Sequence, residues 1–290
     1  MGKIALHGMT IHADVQVMVE KMLIQLAEAD REIYISDRLA GLNLPCFANF
    51  PIFDKSEDLS TFEAIFSLGG DGTLLNTLTY VGDTQLPIMG INLGRLGFLA
   101  NIAKENIEPA LASYFAGDFE FEDRTLIALE SDIEAFSTDH YALNEFAILR
   151  KDTSSMIVVK AYLNGEYLNT YWADGLMVST PTGSTGYSLS CGGPVIMPQT
   201  KNFIITPVSP HNLNVRPLIV SEESELKFVI DSSRNQSFLV SLDSRSEAIE
   251  SPKEFIIRKA DFSARLIKVR GSSFLDTLRN KLTWGLDRRN

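Results

Sequence analysis

Ala64-Ile65-Phe66-Ser67-Leu68-Gly69-Gly70-Asp71-Gly72-Thr73-Leu74-Leu75 decides how the first part of this chain folds. Residues 64–68 form a short apolar run with the length of a buried strand, and it stops in a glycine cluster. Residues 72–81 then suit a helix. Working outward, residues 3–6 and 32–36 predict two further strands on the amino-terminal side. Between them Val15, Met18, Val19, Met22, Leu23 and Leu26 recur at helical spacing and predict an amphipathic helix. Residues 87–92 predict a strand on the other side. Strands alternating with helices predict a parallel sheet covered by helices, an α/β domain.

From about Phe119 the texture changes to short runs rich in Val, Ile, Tyr and Phe, separated by turn residues. Residues 156–163 and 167–171 flank Asn164-Gly165, the signature of a tight hairpin. Further strand-like runs are 203–205, 218–220, 226–230, 238–242, 255–257 and 266–269, with room for one helix after Ser184. The second domain is predicted to be all-β. Residues 273–284 return to helical spacing. A chain of 290 residues exceeds one ordinary core, so two domains are expected. The division predicted is 1–122 with 272–290 for the α/β domain, and 123–271 for the β-rich one.

Composition narrows the function. Hydrophobic residues at 45% and charged residues at 22% are those of a globular protein. The net charge of -11 opposes binding to nucleic-acid phosphates or anionic membranes, so neither partner is expected. Cys46 and Cys191 have no metal-like spacing and read as thiols of a reducing cytoplasm. No apolar run approaches the roughly 20 residues that span a bilayer, and a cytoplasmic location is expected.

Four segments carry chemistry. In the first, Gly69, Gly70 and Gly72 let backbone approach phosphates, and Thr73 lies at the helix start, where N–H groups favour negative charge. Asp71 puts a carboxylate at the strand end, able to take a proton from an attacking hydroxyl or to hold Mg²⁺. The plain alternative is a tight turn with a capping Asp. The second segment, Asn92-Leu93-Gly94-Arg95-Leu96-Gly97-Phe98-Leu99, follows the next strand and faces the same sheet edge. Phe98 reads either as a ring against a ligand or as an ordinary core residue. Third, Asn144-Glu145 sits in the apolar stretch 141–149, where a carboxylate suits the two hydroxyls of a ribose. A strand whose polar side faces water is the alternative. The fourth segment, residues 173–194, is dominated by glycines and hydroxyls. Gly183-Ser184-Thr185-Gly186 lacks the GxSxG pattern of a serine hydrolase, and no histidine has a supporting motif.

GGDGTLL, NLGRLGFL, NE, DGLMVSTPTGSTGYSLSCGGP and SFLDTLRNKLTW, in that order, resemble the bacterial-type ATP-NAD kinases over nearly the whole chain. GGDG alone is shared with diacylglycerol, sphingosine and phosphofructokinases; TPTGSTGY with the upstream NE pair narrows the resemblance. It implies a kinase with NAD and ATP as substrates, Mg²⁺ as cofactor, a homodimer or homotetramer, and a site in a cleft between the domains. It implies that Asp71 accepts the ribose proton, that Gly72 lies against the dinucleotide and that Phe98 stands beside it. Asn144 and Glu145 match a pair contacting ribose and adenine. Asp174 matches an aspartate that reaches a ligand across a subunit interface. Thr185, Gly186, Tyr187 and Ser190 fall in the loop lining the dinucleotide pocket. The final helix is implied to return to the first domain. Asp243-Ser244 departs from the Asp-Gly of many relatives.

Overall fold

The computed structural model describes residues 2–151, 156–230, 237–250, 253–271 and 273–284. The chain divides into two compact units, Met1–Asp123 with Ala264–Asn290, and Arg124–Ser263. The first runs β1 (Gly2–Gly8), α1 (Ala13–Glu28), β2 (Arg31–Ser36), α2 (Asp37–Ala40), β3 (Ile52–Phe53), β4 (Ala64–Leu68), α3 (Asp71–Val81), β5 (Ile88–Asn92), β6 (Ile102–Ala103) and α4 (Ile107–Phe115). Then follow β7 (Phe119–Glu130), β8 (Tyr141–Ala142), β9 (Glu145–Arg150), β10 (Ile157–Leu163), β11 (Glu166–Ala173), β12 (Gly175–Ser179) and α5 (Tyr187–Ser190). The chain closes with β13 (Asn202–Val208), β14 (Leu218–Ser221), β15 (Leu226–Ile230), β16 (Ser237–Leu242), β17 (Arg245–Glu250), β18 (Lys253–Val269) and α6 (Phe274–Leu282).

The first unit is the expected parallel sheet, in the order β3-β2-β1-β4-β5. Leu266 of β18 pairs in parallel with Ile88 of β5. The order reverses between β1 and β4, because β2 and β3 lie on one side and β5 on the other. Ligands of open α/β sheets gather at the carboxyl ends of strands flanking such a reversal. β4 ends at Leu68, so its glycine cluster stands at that point. α1 buries Val15, Val19, Met22, Leu23 and Leu26 against the sheet's apolar core, as its periodicity predicts. α6 returns to this unit, where the Phe274 ring lies 5.8 Å from that of Phe98.

The second unit is β-rich, with a six-stranded antiparallel sheet ordered β14-β13-β12-β9-β16-β17. A second antiparallel run joins β11, β10, β15 and β18. Phe146 and Phe238 from the first sheet meet Phe228 and Phe255 from the second, all fully buried, and together they form the centre of a sandwich core. Asn164 and Gly165 both take positive φ, 52° and 82°, in the predicted β10–β11 turn.

Several elements differ from the sequence reading. The stretch 141–149 is two strands rather than one, broken at Leu143-Asn144 as the chain passes from β8 into β9. β18 is a single 17-residue strand; its charged interior hid the continuity between the two apolar runs read at 255–257 and 266–269. α4 gives little sequence signal, since its buried stripe is only Ile107, Ala110 and Leu111. The helix expected after Ser184 is the single turn α5. Both cysteines are free, and no described helix is long and apolar enough to cross a membrane.

Candidate active site

In the first unit the glycine cluster is built around Asp71. This residue opens α3, and Gly70 caps the helix with no side-chain hydrogen bond, leaving the helix start to other partners. A Cβ on Gly69 would stand 2.2 Å from Thr73 Oγ1, so this position is closed to any larger residue. Gly70 and Gly72 have nothing within 4 Å of where a Cβ would sit, which leaves their backbone open to a large anion. The half-buried Asp71 carboxylate then reaches the second predicted segment. Phe98 N–H donates to Oδ2 at 2.9 Å; Leu99 N–H and Ala100 N–H donate to Oδ1, each at 3.0 Å. Oδ2 therefore carries one backbone donor where Oδ1 carries two.

The loop is shaped to make this contact. Asn92 Nδ2 donates to the carbonyls of Arg95 and Ala100, and Asn92 Oδ1 accepts from Gly94 N–H. A Cβ on Gly97 would lie 1.8 Å from Asp71 Oδ1, so only glycine lets the loop close over the carboxylate. Phe98, half-buried, packs on Phe274, with Lys281 Nζ 5.3 Å from its ring centroid. Thus Asp71, Gly72, Thr73 and Phe98 are gathered at one strand edge.

In the second unit the chain between β8 and β9 is held from two sides. On one, Asp243 takes Leu143 N–H at Oδ2 (2.9 Å) and Asn144 N–H and Glu145 N–H at Oδ1 (2.7 and 3.2 Å). On the other, Thr180 Oγ1 donates to Leu143 O at 2.5 Å and Thr180 N–H to Asn144 O at 2.9 Å. Gly183 presses against the same peptide, and a Cβ there would stand 2.1 Å from Asn144 O. Glu145 is left with a buried Oε2 that has no hydrogen-bond partner. Burial, and next the negative charge of Asp243, push its carboxyl up to about 8.

The hydroxyl-rich loop divides its side chains. Ser184 Oγ is buried and bonded to Ile196 N–H and O, and Ser188 Oγ to Thr206 Oγ1, so these hydroxyls are spent inside the fold. Ser184 is no nucleophile. Thr185 is half-buried, whereas Gly186, Tyr187 and Ser190 are exposed, and the position of a Gly186 Cβ is 3.4 Å from Glu145 Oε2. Asp174 pairs with Arg150 at 3.1 Å, both partly exposed. Asn144, Glu145 and the outward members of this loop form a second cluster. Among the described residues no three His, Cys, Asp or Glu side chains are gathered so as to hold a metal ion.

Comparison with known proteins places both units in one family. The ATP-NAD kinase N-terminal domain matches residues 52–119, and the ATP-NAD kinase C-terminal domain matches residues 143–269. A NAD kinase of Cytophaga hutchinsonii is 47% identical over 290 residues, covering 99% of both chains. The chain belongs to the ATP-NAD kinase family. Among solved structures, an NAD kinase from Archaeoglobus fulgidus in complex with ATP is similar at TM-score 0.77 and 27% identity, covering 97% of this chain and 98% of that one. A yeast NADH kinase complexed with NADH has the same fold at TM-score 0.84 and 21% identity, covering 99% of this chain and 89% of the yeast chain.

Within this ATP-NAD kinase two residues that shape the site are not evident from the sequence. Gly97 has no local turn demanding it; its reason is Asp71, 26 positions earlier. Asp243 stands out in the sequence only in the Asp243-Ser244 pair, and its acceptor role depends on N–H groups about a hundred positions upstream.

Proposed function

We propose that this ATP-NAD kinase transfers the γ-phosphoryl group of ATP to the 2′-hydroxyl of the adenosine ribose of NAD, giving NADP. The observation that carries the reading is Asp71: a carboxylate at a helix start, fixed by three backbone N–H groups, with Oδ2 the less occupied oxygen. In the reaction the ribose oxygen forms a bond to the γ-phosphorus as the bond to the β,γ-bridging oxygen breaks. The hydroxyl proton goes to Asp71, and ADP leaves with the electron pair. Transfer of this kind is loose, so positioning and charge neutralisation contribute most.

The open backbone of Gly70 and Gly72, with Gly69 and Thr73 shaping the turn, suits phosphate oxygens. Asn144 and Glu145 would hold ribose and adenine; Thr185, Gly186, Tyr187 and Ser190 would line the dinucleotide, with Phe98 beside it. A divalent metal, Mg²⁺ for preference, fits as a companion of the phosphates, since Mg²⁺ binds through one or two carboxylates plus phosphates instead of an all-protein cage. Asp71 is the carboxylate closest to the open glycines in sequence, and the metal would neutralise phosphate charge. A cytoplasmic homodimer or homotetramer completes the reading, with Asp174 reaching a neighbour's ligand from its place beside Arg150.

The test is incubation with ATP, Mg²⁺ and NAD, with NADP detected by an NADP-specific dehydrogenase and diacylglycerol as the control acceptor. NADP formation is expected. Phosphorylation of diacylglycerol alone would overturn the reading. For the shared site, Asp71→Asn and Asp174→Ala proteins are mixed after subunit exchange; recovery of up to about a quarter of wild-type sites is expected if the residues come from different chains.

A further inference from the structure

We propose that Asp243 is the positioning residue that holds Glu145 for the dinucleotide, through three backbone N–H groups that no strand ladder serves. The inference rests on the proposed role of Glu145. Asp243 and Ser244 form the two-residue connection between β16 and β17, and Asp243 takes φ 53°, a conformation an aspartate tolerates. That backbone turn aims its carboxylate at the junction of β8 and β9, while its own N–H donates to Glu145 O at 2.9 Å. The chain there passes out of one strand pairing into another, so Leu143 and Asn144 need an acceptor from elsewhere. Asp243 supplies it for both of them and for Glu145.

The clamp also fixes the charge. Facing Glu145 are Asp243 on the hairpin and Cys191 after α5; Arg245 on β17 stands by Asp243 and donates to the carbonyls of Asp139 and Tyr141. Tyr187 lies one step further out, beside Cys191, with Asp174 near Tyr187. Burial pushes the Asp243 carboxyl up, and three N–H donors with Arg245 pull against it. Glu145 Oε2 has no such donors. Of the two acids Asp243 keeps the charge and Glu145 takes the proton, until a donor such as a ribose hydroxyl arrives. Asp243 thus sets where Glu145 stands and at what pH it is charged.

Asp243→Asn in the full chain tests this, since it keeps the shape and removes the charge and one acceptor. The KM for NAD should rise roughly 10–100-fold, because Glu145 loses the backbone clamp that positions it, with the KM for ATP within about twofold. The acid limb of kcat/KM for NAD should move to lower pH, because Glu145 loses its like-charged neighbour. A uniform fall in kcat with an unmoved pH profile would make Asp243 merely structural and overturn the inference. Should the Asn variant fold poorly, Asp243→Gly accepts the positive φ and removes the carboxylate, with the same expectation. Glu145→Gln is measured alongside. An unchanged KM for NAD in that variant overturns the role of Glu145 and the inference with it. A raised KM there with none in the Asp243 variants overturns the inference alone.

Discussion

Asp71 and Asp243 are built alike and used differently. Each carboxylate accepts three consecutive backbone N–H groups, from Phe98, Leu99 and Ala100 in one unit and from Leu143, Asn144 and Glu145 in the other. Asp71 opens an 11-residue helix beside glycines with open space over them. Asp243 sits in a hairpin with a second acid, Glu145, pressed close. The shared device fixes a loop. What surrounds it decides whether the aspartate meets a substrate or governs a neighbour that does.

The largest effect should come from breaking the first clamp's chemistry while sparing its shape. Asp71→Asn should lower kcat by roughly 10²–10⁴ with NAD binding kept within a few-fold. Steady-state kinetics with calorimetric binding checks it, and wild-type turnover in a folded variant removes Asp71 from the mechanism. Gly97→Ala breaks the shape instead. Its Cβ cannot coexist with Asp71 Oδ1, so the loop must move, at about 1–3 kcal/mol of stability and with a large part of the activity. Thermal unfolding and kcat together test this, and an unaffected protein would deny the clamp.

Glu145 sharpens the contrast. Glu145→Ala should weaken dinucleotide binding by about 1.5–3 kcal/mol, read by titration calorimetry. The apo protein should not lose stability, because the carboxyl is raised to about 8 in the fold. A raised carboxyl lets the folded state hold its proton longer than the unfolded one. Its contribution is therefore fully present at low pH and is lost as pH rises towards 8. The first unit has the opposite slope in His7, which is buried against Ser36 and lowered to about 4, chiefly by burial. Here the unfolded state takes the proton first, so stability falls as pH drops from 6.5 to 4. The size is about 3 kcal/mol. Denaturant midpoints of His7→Gln and the parent across that window check the sign. The smallest effect belongs to Gly186→Ala, whose Cβ meets Gly183 O at 3.3 Å and Glu145 Oε2 at 3.4 Å. A change of under about 1 kcal/mol in stability is expected, together with a modest rise in the KM for NAD.

What could be read from sequence follows the same divide. The strand, GGDG and α3 were legible because an apolar run, glycine punctuation and helical spacing are all local signals. So was the β10–β11 hairpin, through Asn164-Gly165. The polar pair Asn144-Glu145 was visible as an anomaly in an apolar stretch, but its strand was read as continuous. The break at Leu143 depends on Asp243 and Thr180, both far along the chain. Clamps of this kind join residues 27 to 100 positions apart, a distance at which periodicity carries no information. Ser184, by contrast, was set aside correctly on motif alone, and its buried Oγ bears that out.

Whether Asp71 assists transfer of a phosphoryl group to NAD is decided with ATP labelled in the γ-phosphate. Wild-type protein and Asp71→Asn, each shown to bind NAD, are incubated with label and NAD, and the product is located by cleavage and NMR. Label is expected on the 2′ position of the adenosine ribose with the wild type, and formation slowed at least roughly 100-fold in the variant. Label at any other position, or equal rates in the two proteins, would contradict this expectation.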